Sequence, residues 1–390
     1  MRASDPAGLR AYNERVIINA LLRRGPMSKA EIARETGLSG QAASVIVNAL
    51  LAEGLLRKLE KVRGQVGQPS TPVAPNPSGA YALGVKIGRR SVEAALIDLT
   101  GAVVAHRHAP HAAPLPETCV AAAAALGRAC LDALDEEGRA RVVGMGLAMP
   151  GDMHAWPREM GLPPGALDGW RGFDAGAALQ EALGMAPIVC NDATAACAAE
   201  MLLGSGIASR SALYIYLGMF AGGGVVIDGR LVMGEQGNAG AIGSMPVGAP
   251  DARGRPQQLA HRAGLISLER ALREAGLDAG AAMQGAPLEA EQVFRRWVRQ
   301  VAPELALAAA AALSVIDFPT IVVDGALPAP WRARLAAATA REMGALNRAG
   351  LSPAVFAVGA LGHTARVLGA ASLPLQRRFS PDPELVARAG

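Results

Sequence analysis

Two stretches of this chain carry residue types that could do chemistry. Leu217 to Ser244 reads LGMFAGGGVVIDGRLVMGEQGNAGAIGS, with nine glycines. Gly222-Gly223-Gly224 falls between the apolar runs Ala212 to Leu217 and Val225 to Ile227, the pattern of a hairpin whose turn approaches a phosphate or sugar. A tight turn with no ligand has the same composition. Asn191-Asp192 offers a neutral and an anionic hydrogen-bonding group at the start of a helical run, where Asn191 also suits an N-cap and Asp192 a first-turn charge. Lys86, Arg89 and Arg90 make another hairpin electropositive, so a cleft there is expected to accept an anionic ligand such as a sugar phosphate or sugar acid. His106, His108 and His111 place two imidazoles on one strand face, but Arg107, Ala109 and Pro110 read as an exposed strand end rather than a metal site.

The rest of the chain must position these groups. At 390 residues with 51% hydrophobic content it is expected to hold more than one domain and a sizeable core. Charge is unevenly spread: residues 1–80 hold 11 Lys and Arg against 6 Asp and Glu, and residues 81–390 hold 27 against 28. The basic N-terminal part is where a nucleic-acid partner is expected. Cys119, Cys130, Cys190 and Cys197 lie in alanine-rich apolar runs without CxxC spacing and are expected to be reduced and buried. Asp5 and Arg10 stand where a signal peptide would be apolar, and Leu305 to Ile316 is too short to span a bilayer, so a cytoplasmic protein without a membrane segment is expected.

Residues 1–80 read as a winged helix-turn-helix. Ile17, Ile18, Leu21 and Leu22 form one stripe of a helix over Glu14 to Arg24, which ends at Gly25-Pro26. Ser28-Lys29-Ala30-Glu31 is a capping box for a second helix stopped by Gly37. Ser39 then caps a third, whose Ala43, Ile46, Val47 and Leu50 face inward and whose Gln41, Ala42, Ser44, Val45 and Asn48 face outward. That outer face is small and polar, with a valine able to meet a thymine methyl, as a major-groove reader requires. A strand at Leu55 to Leu59 with Arg57 and Lys58, then Lys61, Arg63 and Gln65 in a Gly64–Gln68 turn, reads as a basic wing for phosphates or the minor groove. Pro69, Pro72, Pro75 and Pro77 are expected to form a stiff linker.

From Tyr81 the pattern becomes α/β. Tyr81 to Ile87, Val92 to Leu99 and Ala102 to Ala105 predict a three-strand meander, followed by a helix over Glu117 to Leu134 and a buried strand at Val142 to Ala148, which Pro150-Gly151 stops. Pro187 to Cys190 predicts a short strand, with Asn191 capping a helix to Leu203.

The ordered set YALGVKIG, AMPG, Asn191-Asp192, LYIYLGMFAGGGVVIDGRL, GNAGAIGS and LGHTARVLGAASLPLQRRFSPD resembles the ROK family of repressors, open reading frames and kinases. With the winged helix in front, the chain resembles its xylose-repressor-like and N-acetylglucosamine-repressor-like branch over nearly its whole length. The resemblance implies an N-terminal winged helix-turn-helix (1–80) and a C-terminal α/β actin-like domain of two lobes (81–390) around a ligand cleft. It implies a cytoplasmic transcriptional regulator, more often a repressor, binding palindromic double-stranded DNA as a homodimer or homotetramer. Gly151, Asn191, Asp192, Ser244 and Lys86 are the expected ligand-binding residues, toward a sugar or an anionic sugar derivative.

Departures from the family pattern weigh against phosphoryl transfer. Lys86 stands where family kinases carry an aspartate, Met219 and Phe220 replace a hydroxyl and a glycine of the phosphate loop, and His363-Thr364 replaces acidic residues. Ala241 and Ser244 replace the glutamate and histidine of the family's E-x-G-H segment. No cysteine follows Cys197, so the family's zinc motif has no counterpart, and His261 alone is not a structural zinc site. No catalytic residue, metal or cofactor is expected. A ROK-type sugar kinase fused to a DNA-binding domain is the alternative.

Overall fold

The computed structural model describes residues 6–60, 71–207 and 209–381. It opens with three helices: α1 (Pro6–Arg24), α2 (Lys29–Thr36) and α3 (Gly40–Ala52). Helix α1 starts at Pro6 rather than Glu14, and an Arg10–Glu14 pair spans its first turns at 2.9 Å. The capping box of α2 forms, with Ser28 Oγ accepting from the Glu31 N–H at 3.3 Å and Glu31 Oε2 accepting from the Ser28 N–H at 2.8 Å. Gly37 ends that helix at φ 71°, and Ser39 caps α3. Ala43, Ile46, Val47 and Leu50 meet Ile17, Ile18, Leu21 and Ile32 in one core, as the stripes predict.

Strands β1 (Leu56–Lys58) and β2 (Val73–Pro75) pair antiparallel, Leu56 opposite Pro75. Pro75 therefore belongs to the second wing strand and not to a linker, a place open to proline on an edge strand. Lys61, Arg63 and Gln65 lie outside the described residues.

The remainder forms two lobes with like-built sheets. In the first, β3 (Tyr81–Ile87), β4 (Ser91–Asp98) and β5 (Val103–Pro110) are an antiparallel meander, longer at β5 than expected. After α4 (Pro116–Leu131) and α5 (Glu136–Ala140), β6 (Val142–Met149) joins β3 in parallel; α6 (Ala175–Leu183) precedes β7 (Pro187–Asn191), giving the order β5-β4-β3-β6-β7. Helix α7 (Asp192–Leu203) leads to the second lobe. There β8 (Ala212–Leu217), β9 (Ala221–Ile227) and β10 (Arg230–Val232) repeat the meander. A small hairpin of β11 (Pro246–Val247) and β12 (Gln257–Gln258) and helices α8 (Leu259–Arg262), α9 (Leu265–Glu274), α10 (Ala279–Gly285) and α11 (Leu288–Leu313) follow. Strand β13 (Thr320–Gly325), α12 (Ala329–Ala345) and β14 (Val355–Val358) complete the order β10-β9-β8-β13-β14, with β13 parallel to both neighbours. Helix α13 (Ala365–Phe379) returns to the first lobe and packs on α7, β3 and β6. This duplicated meander-plus-parallel sheet, with a helix-lined cleft between lobes, is the actin-like sugar-kinase fold.

The triple glycine lines the cleft through Gly222 and Gly223, but from a strand rather than from a turn. Gly222–Gly224 lie within β9, and the turn is Gly218-Met219-Phe220. A Cβ on Gly224 would sit 2.5 Å from Cys197 Cβ, and one on Gly222 2.9 Å from Ala193 Cβ, so bare backbone lets α7 press onto the sheet. The four cysteines are buried and free.

Chain crossings between the lobes are clamped by one side chain. Buried Glu200 accepts from the N–H of Gly206 (2.7 Å), just after α7, and of Ala360 (3.0 Å), just before α13. Burial raises the Glu200 carboxyl, and these amide hydrogen bonds oppose that rise.

Candidate functional site

Two surfaces carry the predicted side chains. On α3, Gln41, Val45 and Asn48 are exposed, Val45 to 59%, while Ala42 and Ser44 are half-buried. Asn48 Oδ1 accepts from Lys29 Nζ at 2.7 Å, which orients the amide on the outer face. The Ser39 hydroxyl already accepts from the Ala42 N–H at 3.2 Å, so its first task is to begin the helix. Arg57 and Lys58 are exposed on β1. Together they place a polar helix face and two exposed cations on the neighbouring strand in the same small domain.

The second surface is a cavity of about 210 Å³ between the lobes. Gly151, Asn191, Asp192 and Ser244 line it, as do Met219, Phe220 and Ala241. Asn191 Oδ1 caps α7 by accepting from the Ala193 N–H at 2.9 Å, leaving its amide nitrogen available to the cavity. Asp192 receives a hydrogen bond from Arg366 Nη1 at 3.2 Å, and the Arg366 guanidinium lies 5.3 Å from the centre of the Tyr216 ring. Burial would lower the Arg366 guanidinium, but Tyr216, Asp192 and Glu93 outweigh it and hold the charge firmly.

Lys86 is a correction: it does not line the cavity. It is buried under the first hairpin, where its ammonium bonds Glu93 and, at 3.2 Å, Ser91 Oγ. Burial pushes the ammonium down to about 8, with repulsion from Arg366 acting in the same direction and Glu93 opposing. Strand β4 supplies the partner that a reading of β3 alone could not see. Arg90 is likewise spent, pairing with Glu269 on α9 at 2.6 Å. Of the three cations expected at the cleft, Arg89 alone reaches it.

His106 and His108 are exposed on β5, and His106 Nε2 lies 3.3 Å from Glu93 Oε2. His111 Nε2 contacts the Gly88 carbonyl at 3.0 Å. Among the described residues no group of three or more His, Cys, Asp or Glu could hold a metal ion.

Sequence reasoning missed two cavity features. Arg366 sits in the first turn of α13, where the helix dipole disfavours a cation, so it needs an anion; that positional misfit was the available signal. Trp156, Phe220 and His261 form an aromatic cluster with ring centroids 4.8–5.2 Å apart, with Arg89 over the Phe220 ring at 4.8 Å. Trp156 comes from the first lobe and the other two rings from the second, a meeting that no local pattern encodes.

The ROK family model matches residues 82–377 and the MarR family model residues 12–64. The chain belongs to the ROK family. With a helix-turn-helix ahead of the ROK domain, it is of the family's transcriptional-regulator kind. It is 28% identical over 376 residues to the uncharacterized protein y4fQ of Sinorhizobium fredii, covering 95% of this chain and 92% of that one. The xylose repressor of Bacillus subtilis is 22% identical over 247 residues, 63% of each chain. A solved ROK family transcriptional regulator, a homolog of the E. coli MLC protein, shares the fold over 98% of this chain and 99% of its own, with TM-score 0.67 at 17% identity. No helix among the described residues is long and apolar enough to cross a membrane.

Proposed function

We propose that the protein is a cytoplasmic repressor that binds palindromic operator DNA as a homodimer or homotetramer and senses a sugar-type ligand in its cleft without phosphorylating it. The division is a winged helix over 1–80 and a sensor over 81–390. Gln41, Ser44, Val45 and Asn48 read bases, and Arg57 and Lys58, with Lys61, Arg63 and Gln65 beyond them, hold phosphates. The exposed face of α3, polar around a 59% exposed Val45 that nothing in the core needs, is the observation that carries this reading.

The absence of kinase chemistry is supported by how the cleft is filled. Phe220 packs against Trp156 and His261 beside Met219, and Arg366 engages Asp192. A phosphoryl donor needs open backbone amides and a metal-binding carboxylate; Met219 and Phe220 add bulk to the turn beside the cavity, and Lys86, spent on Glu93, stands where that carboxylate is expected. A coupled ATP assay across neutral sugars tests this. No turnover is expected, and turnover on any sugar would support the fused-kinase alternative.

Coupling between ligand and DNA has a physical route. Helix α13 begins at the cavity with Arg366 and ends against α1, where Asn19 Nδ2 donates to the Phe379 carbonyl at 2.8 Å and Arg15 Nη1 to the Ser380 carbonyl at 3.3 Å. Fifteen helical residues span about 22 Å, with Pro374 inside the helix five residues from its end at Phe379. A ligand that alters the Asp192–Arg366 pair therefore pulls on the helix that holds the DNA-binding domain, and that shift changes how paired winged helices meet two half-sites.

A further inference from the structure

Charged groups around the cavity sum to zero, Arg89 and Arg366 against Asp152 and Asp192, but they are not all paired. Glu93 takes Lys86, Asp192 takes Arg366 and Glu269 takes Arg90. Arg89 is left over: among the described residues it has no hydrogen bond and no ion pair, and its Nε is buried without a partner. Desolvation lowers its guanidinium below the ordinary value, with attraction from Asp192 and repulsion from Arg366 following. Arg366 Nε is also buried and unpartnered. Both arginines line the cavity, and the Arg89 guanidinium, which has no hydrogen bond among the described residues, is the group that an acceptor placed there would engage. The single other charged group of the lining is Asp152, an exposed carboxylate.

We propose that the ligand is a hydroxylated monocarboxylate, a sugar acid, whose carboxylate is held by Arg89 and Arg366, whose hydroxyls meet Asn191 and Ser244, and whose apolar ring face lies on Trp156 and Phe220. This rests on the reading of the cleft as a sugar-type sensor and adds the charge of what is sensed. Arg89 supplies a guanidinium with no hydrogen bond or ion pair among the described residues, and a carboxylate offers it two acceptor oxygens in one plane. A phosphate dianion would set twice the negative charge of a carboxylate beside Asp192 and Asp152. Trp156 and Phe220 supply apolar surface in the lining for a pyranose or polyol, with Arg89 over the Phe220 ring at 4.8 Å.

The test is calorimetry on the full chain with D-glucose, D-glucuronate, D-gluconate and glucose 6-phosphate. One of the two carboxylates should bind at least ten-fold tighter than glucose. Arg89→Gln should remove that preference, and Arg89→Lys should keep part of it. Arg89 comes from a turn, and circular dichroism of both variants should match the parent. Equal affinity for glucose and the carboxylates would overturn the inference while leaving a sugar sensor in place. Tighter binding of glucose 6-phosphate would overturn the choice of carboxylate. Silence with all four probes would count against both the inference and the sugar-sensing reading.

Discussion

Arg366 Nη1 lies 3.2 Å from Asp192 Oδ2, joining the first turn of α13 to the first turn of α7 inside the cleft. Both side chains are largely buried, at 17% and 14% exposure. Removing one partner leaves an uncompensated charge, which costs more than the pair contributes. Arg366→Ala should therefore destabilise the protein by about 3 kcal/mol. The double variant Arg366→Gln with Asp192→Asn should recover much of that. Chaotrope unfolding monitored by circular dichroism measures both, and equal losses in the single and double variants would contradict the pairing.

The same two helices are held together by absent side chains. A Cβ on Gly369 of α13 would lie 1.7 Å from the Ala195 carbonyl oxygen of α7. Gly369→Ala and Gly224→Ala should each cost about 1–3 kcal/mol through overpacking. Gly344→Ala, in α12 with nothing within 4 Å of the added methyl, should be neutral or stabilise by up to about 1 kcal/mol. Thermal melts of the three variants give the comparison.

Acid should act through Glu93. Burial alone would raise its carboxyl, but hydrogen bonding to His106, the charge and hydrogen bond of Lys86, and Arg366 outweigh this and hold it well below the usual carboxylate range. A group depressed in the folded state contributes stability above its unfolded value, about 4.3, and loses it as pH falls toward the folded value. Stability should thus decline below about pH 4–5, and Glu93→Gln should show a shallower decline over that range. A variant whose acid limb superimposes on the parent's would show that Glu93 carries no such linkage.

At the other end of α13, Asn19→Ala should remove the hydrogen bond to the Phe379 carbonyl at a cost of about 1 kcal/mol. Amide exchange should quicken in α1 and in the last turn of α13 together. Exchange that quickens in α1 alone would mean that the two elements are not coupled.

Local features were the legible ones. Ser28, Glu31, Gly37 and Ser39 act within three or four residues of themselves, and the Ala43–Leu50 stripe is periodic, so the helix-turn-helix could be read directly. The meander strands followed from alternating and apolar runs. What escaped depends on elements distant in sequence. Lys86 looked available because Glu93 meets it only through β3–β4 pairing, with Lys86 opposite Glu93. The glycine run looked like a ligand turn because the approach of α7 to β9 is invisible in the run itself. Arg366 and Asp192 are 174 positions apart and become neighbours only when α13 returns to the first lobe.

The division of labour between α3 and the wing is tested most directly by fluorescence anisotropy on an operator duplex first located by genomic footprinting, and on a scrambled duplex, over a range of salt. Arg57→Ala should weaken binding to both duplexes alike and make the log–log salt slope shallower by about 1. Gln41→Ala should leave the slope unchanged and reduce the preference for the operator by about ten-fold. If neither substitution changes DNA affinity, the winged helix is not the DNA-binding surface and the account fails.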